Sequence, residues 1–166
     1  MMNRTKKMML ITMLVAIGTV FHMIESTITI PLPVPGFRLG FANIVGMVAL
    51  YMFDGKTMLG VNAVRVVFAS LLSGMLFGTG FWLSVSGMLC SNFACIIFKR
   101  VTPMSMYGVS VMGSVFHAVG QVIAISFLYQ QFFMQAVLPI LLLLGIPTGL
   151  LIAYMSNQIC MRIKIM

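Results

Sequence analysis

Six long apolar segments, each cut off from the next by charges, prolines or glycines, constrain this chain more than any other feature of it. They run near Met8 to Ile24, Leu39 to Phe53, Thr57 to Phe77, Phe81 to Phe98, Tyr107 to Tyr129 and Met134 to Cys160. A helix that crosses a bilayer needs about 20 apolar residues at a rise of about 1.5 Å each, and in hydrocarbon its backbone groups must pair within the segment. The sequence is 61% hydrophobic and 7% charged, too apolar for a water-soluble domain of 166 residues. The expected fold is an all-α integral membrane protein, one compact bundle of six transmembrane helices over residues 1–166. The second segment is the shortest, and Pro139 and Pro147 are expected to bend the sixth or give it an irregular start.

Ten lysines and arginines stand against only Glu25 and Asp54, a net charge of +8. The basic residues are scattered at segment ends instead of gathered in a patch, which argues against nucleic acid as a partner. With six crossings, Arg4, Lys6, Lys7, Lys56, Lys99, Arg100, Arg162 and Lys164 fall on one side of the membrane and Arg38 alone on the other. The positive-inside rule then makes both termini cytoplasmic in a multi-pass protein of the cell membrane. Met1 to Lys7 and the apolar run after it resemble the start of a signal peptide. No A-x-A-like site follows, and His22 and Glu25 close the run, so it is read as a retained first helix. Cys90, Cys95 and Cys160 have neither zinc-site nor disulfide-framework spacing and are read as packing residues. Small residues four apart, such as Ser110 and Ser114 or Gly145, Gly149 and Ala153, are expected to let helices approach within the bundle.

Polar side chains are costly in hydrocarbon, so the few that fall inside the segments are the candidates for function. Counting along each segment puts His22, Glu25, Asn43, His117 and Gln121 at one depth in the outer half. Ser110, Ser114, His117 and Gln121 share one face of the fifth segment, which should look into the bundle. Residues 25–38 form a proline-rich external connection with Pro31, Pro33, Pro35 and Gly36, able to cover a pocket rimmed by Arg38 and Trp82. Each polar residue taken singly reads as well as a helix-to-helix hydrogen bond; together they suggest a ligand site. Arg65 is placed in the cytoplasmic part of the third segment. It has three open roles: binding a carboxylate or phosphate, pinning unwound backbone, or tying to Asp54. Asp54 in Asp54-Gly55-Lys56 reads as a turn residue. Asn92, Asn157 and Gln158 read as packing or interfacial residues.

Several chemistries are missing from the residues. There are no paired acids for metal-assisted diphosphate chemistry, no phosphate-binding lysine loop and no GxSxG nucleophile. No metal ion, cofactor or catalytic residue is expected, and the chain is not expected to be an enzyme.

The run Glu25 through Ile30-Pro31-Leu32-Pro33-Val34-Pro35-Gly36-Phe37-Arg38-Leu39-Gly40-Phe41-Ala42-Asn43 resembles the small membrane proteins called Gx transporters, often labelled heptaprenyl diphosphate synthase component I. Arg65-Val66-Val67, Leu71-Leu72-Ser73-Gly74, Phe77-Gly78-Thr79, Ser86-Gly87 and the stretch from Gly108 through His117 to Gln121 extend the resemblance over nearly the whole chain. That family is distantly similar to the substrate-binding S-components of energy-coupling-factor transporters. The resemblance implies six helices with cytoplasmic termini and a small-molecule solute bound in the outer half beneath the first connection. Its binding residues would be Asn43, His117, Gln121, Arg38, Glu25, His22 and Arg65. It also implies a face of Thr12, Ala16 and Gly18 docking to an energy-coupling module, a transmembrane protein with ATPases. The synthase label implies another partner, a soluble prenyl synthase subunit, for which this chain would be the non-catalytic membrane component.

Overall fold

A computed structural model describes residues 3–27, 40–130 and 132–165. The described residues form six α-helices and no strand: α1 Arg4–Thr27, α2 Asn43–Met52, α3 Gly55–Leu72, α4 Thr79–Val101, α5 Met106–Tyr129 and α6 Leu138–Ile165. A short 3-10 helix, Phe132–Val137, leads into α6, with Pro139 in the first turn of α6 and Pro147 inside it. This is the irregular start expected of the sixth segment. Most of the proline-rich connection, Arg38 included, lies outside the described residues.

Five helices are long and apolar enough to cross a membrane. The exception is α2, whose 10 residues reach about 15 Å, half of a hydrocarbon core. A helix apolar on every side has to be buried on every side. Residues Asn43 to Leu50 are all buried, and α2 packs against α1, α3, α4 and α6.

Its two ends are matched to its dipole. At the N-terminal end, Glu25 Oε1 accepts hydrogen bonds from the backbone N–H groups of Gly40 and Phe41. At the C-terminal end, Lys99 Nζ donates to the Leu50 carbonyl at 2.7 Å and stands 4.3 Å from the Tyr51 ring centroid. A carboxylate at the positive end and an ammonium at the negative end both stabilise the helix.

Polar side chains are buried within a largely apolar core, while large apolar side chains cover the outside. Asn62, Asn92 and Gln121 are at most 1% exposed, while Leu72, Leu143 and Phe127 are 64%, 72% and 85% exposed. That arrangement suits lipid as the surrounding solvent, and together with the five spanning-length helices it makes this a membrane protein. Small residues bring the helices together as expected. A side chain on Gly149 would meet Val111 Cα at 2.7 Å, and one on Gly120 the Ser86 carbonyl at 2.6 Å. Serine hydroxyls tie the same contacts: Ser110 donates to the Gly149 carbonyl and Ser86 to the Gly120 carbonyl, each at 2.7 Å.

Candidate functional site

On α1 the buried positions Leu14, Gly18, His22 and Glu25 recur at helical spacing, so the face that enters the bundle carries its polar residues at the far end. On α5 the whole expected stripe is buried: Ser110, Ser114, His117 and Gln121. Asn43 opens α2, and Arg65 lies past the middle of α3. These faces meet around one enclosed cavity lined by His22, Glu25, Gly40, Asn43, Arg65, Ser84 and His117. Its volume is about 10 Å³, the room that a single water needs.

Hydrogen bonds join these groups in series. Arg65 Nη2 donates to Asn43 Oδ1 at 3.3 Å, and the Asn43 amide nitrogen lies 3.5 Å from His117 Nδ1. The Gln121 carboxamide nitrogen lies 3.0 Å from His117 Nε2. Both amide groups present nitrogens, which only donate, and a neutral imidazole accepts at one ring nitrogen alone, so its tautomer decides which of the two amides it accepts from. Gly40 closes the cavity from the α2 side in a left-handed conformation, φ +86°. A side chain there would come within 3.1 Å of Asn43 Nδ2 and 3.4 Å of His117 Cδ2, so the position is suited to glycine on both counts. Gly87 serves α4 in the same way, since a Cβ there would stand 2.8 Å from His117 Cε1.

His22, Glu25, Asn43, Arg65 and His117 therefore share one cavity, and Gln121 adjoins it through His117. Arg65 reaches the cavity from past the middle of α3, through its bond to Asn43. Asp54 is no partner for it, being the N-cap of α3 with its carboxylate accepting from the Thr57 N–H at 2.6 Å. Hydrogen bonding by the Thr57 side chain, and then by its backbone N–H, holds the Asp54 carboxyl below its ordinary pKa. Glu25 is committed to the backbone of Gly40 and Phe41, so its first role is to fasten the end of α1 to the start of α2.

The expected docking face divides. Thr12 and Ala16 are exposed, but Gly18 is buried on the opposite side of α1, where a side chain would lie 2.6 Å from Val45 Cγ2 and 2.9 Å from Arg65 Cδ. Gly18 is a packing position that gives Arg65 its room, and it does not share a surface with Thr12 and Ala16.

One residue of the cavity was not foreseen, and one expected packing residue finds its partner. Ser84 lines the cavity, and a lone serine in an apolar helix carries no signal that marks it. Deeper in the bundle, Asn62 Nδ2 donates to Asn92 Oδ1 at 2.7 Å, a buried amide pair beside Gly46. Two asparagines in separate apolar segments were the available hint. Among the described residues, no three of His, Cys, Asp and Glu come close enough to share a metal ion.

No curated protein and no solved structure shows significant similarity to this chain. The profile described as heptaprenyl diphosphate synthase component I matches residues 14–159, which include every residue that lines the cavity, and the chain belongs to that family.

Proposed function

We propose that this protein is a membrane solute-binding component that takes a small solute from the external side for uptake, with no ATPase or prenyl-transfer chemistry of its own. The observation that carries the reading is convergence: five helices each send a polar side chain into one cavity, among them two histidines, a carboxylate and a guanidinium. Burying so many polar groups in a membrane bundle is costly and is characteristic of functional sites. With room for about one water, the cavity is in its closed state, and capture requires Glu25 to release Gly40 and Phe41. On this reading α2, short as it is, counts as one of six crossings. Both termini then face the cytoplasm of the cell membrane, as the basic residues favour. The exposed Thr12 and Ala16 remain as a face for an energy-coupling module.

The family description favours a second reading, a non-catalytic membrane subunit that associates with a soluble synthase of heptaprenyl diphosphate. One experiment separates the two. The tagged protein is purified from its native cells in mild detergent, and bound proteins and retained small molecules are identified by mass spectrometry, alongside Asn43→Ala, His117→Ala and Gln121→Ala. Solute binding predicts a stoichiometric small molecule on the wild type that the folded variants lose, and energised uptake adds a transmembrane protein with ATPases. A prenyl synthase without those ATPases and without a solute supports the second reading. Uptake and retained molecules that are unchanged in all three variants defeat the first.

A further inference from the structure

The connection between α3 and α4, residues 73–78, exposes apolar side chains at its tip. Met75, Leu76 and Phe77 are 65%, 38% and 67% exposed, and they continue the exposed stripe of Phe68, Leu71 and Leu72 on α3 without a break. The sequence holds no charged residue from Val66 to Phe98. An exposed apolar patch of this kind marks a surface that contacts protein or membrane, and helix lengths decide between them.

The start of α3 lies beside the end of α4: Asn62 pairs with Asn92, and Gly55 packs against Ile96. Asp54, the N-cap of α3, puts that end at a polar face of the membrane, because its exposed carboxylate is excluded from hydrocarbon. From there the 18 residues of α3 rise about 27 Å, against a hydrocarbon core about 30 Å thick, and any tilt lowers that height. Counted back along α4 from Lys99, Thr79 stands about 30 Å from the same face. Both helices end at or just short of the far edge of the core, so the loop that joins them has not risen clear of it.

The loop backbone suits such a place, where an N–H without a partner is costly. Gly74 and Met75 donate to the carbonyls of Leu71 and Ser70 at 3.1 and 3.0 Å, closing α3 on a left-handed Gly74, φ +65°. The Gly78 N–H then donates to the Met75 carbonyl at 3.1 Å, across a turn whose third residue is Phe77, φ +64°. Glycine adopts that conformation freely, and a phenylalanine does so only at a cost. The side chain held there is an exposed ring that meets Phe81 edge to face at 5.5 Å, and Phe81 meets Trp82 in the same way.

We propose that the α3–α4 connection is a lipid-contacting loop. Met75, Leu76 and Phe77 lie among the acyl chains just beneath the head groups of the leaflet opposite Asp54 and Lys99. Trp82 stands near the same level, in the interfacial belt where an amphipathic ring is favoured. The inference rests on the chain being a membrane protein and is independent of the solute-binding reading.

Trp82 is the only tryptophan in the sequence, so Trp82→Phe gives a silent background for a fluorescent reporter. Phe77→Trp on that background moves the reporter to the tip of the loop and keeps an aromatic ring there. Met75→Trp is the second reporter, at a residue free of left-handed strain, and serves if Phe77→Trp does not fold. The full chain is reconstituted in phosphatidylcholine vesicles brominated either near the head group or near the tail end, with iodide added on both sides. The expected result is blue-shifted emission, quenched more by the shallow bromines than by the deep ones and little by iodide. Emission quenched by iodide and by neither bromolipid puts the loop in water and overturns the proposal. Emission shielded from iodide and from both bromolipids means that protein covers the loop, and it overturns the proposal equally. Stronger quenching by the deep bromines overturns the stated depth.

Discussion

Gly18 and Arg65 occupy a space that only a hydrogen atom can share: a Cβ at residue 18 would stand 2.9 Å from Arg65 Cδ. The guanidinium reaches Asn43 because α1 offers no side chain at that level. Gly18→Val is therefore expected to destabilise the protein by about 1–3 kcal/mol, as overpacking does. Thr12→Leu and Ala16→Leu, on the exposed side of the same helix, should stay within about 0.5 kcal/mol. Thermal unfolding in detergent compares the three, and equal effects would contradict the geometry.

The Asn62–Asn92 pair predicts non-additivity. Asn62→Leu or Asn92→Leu alone strands the partner's amide in the core and should cost about 1–3 kcal/mol. The double variant should cost less than the sum of the two, because no amide remains unpaired. Strict additivity in a double-mutant cycle would show that the two side chains act separately.

Lys99 should behave as a helix terminator for α2. Lys99→Met removes the donor to the Leu50 carbonyl and the cation beside Tyr51, and a loss of about 1–2 kcal/mol is expected. Lys99→Arg should recover part of it. Arg100→Met, next along the chain and exposed, serves as the control.

Asp54 carries a pH dependence. Its carboxyl is held below 3.8 chiefly by the hydrogen bond from Thr57, so the folded state favours the ionised form. The stabilisation is complete above the ordinary carboxylate range and is lost as pH falls through the lowered value. Asp54→Ala should cost about 1 kcal/mol at neutral pH, the worth of an N-cap. The gap between it and the wild type should narrow in strong acid, and a gap that stays constant down to pH 2 would rule out the ionised cap.

Much of this was legible in the sequence because membrane helices declare themselves locally. Apolar runs cut by charges and prolines located all six helices, and the four-three-four spacing from Ser110 to Gln121 named the face of α5 that turns inward. Asn43, His117 and Glu25 were brought to one depth by counting alone. What stayed hidden depended on contacts between segments. The length of α2 could not be read, because residues 40–42 are as apolar as a helix and yet form the turn that Glu25 holds. The bond from Arg65 to Asn43 could not be read, because a long side chain carries its charge well away from its Cα. Gly18 looked like a surface residue because nothing local records that Arg65 lies across it.

The bracketing of α2 has a consequence for how the protein is made. Too short to span, α2 cannot settle alone in the bilayer as it leaves the ribosome. The lysine that holds its last turn is 49 residues further along the chain than the carbonyl it grips. Glu25 waits ahead of it from the start, but the other anchor arrives only when α4 has been synthesised and threaded. Assembly therefore has a built-in delay: α1 and α3 enter first, α2 remains provisional between them, and the bundle closes around it only after the fourth helix is in place.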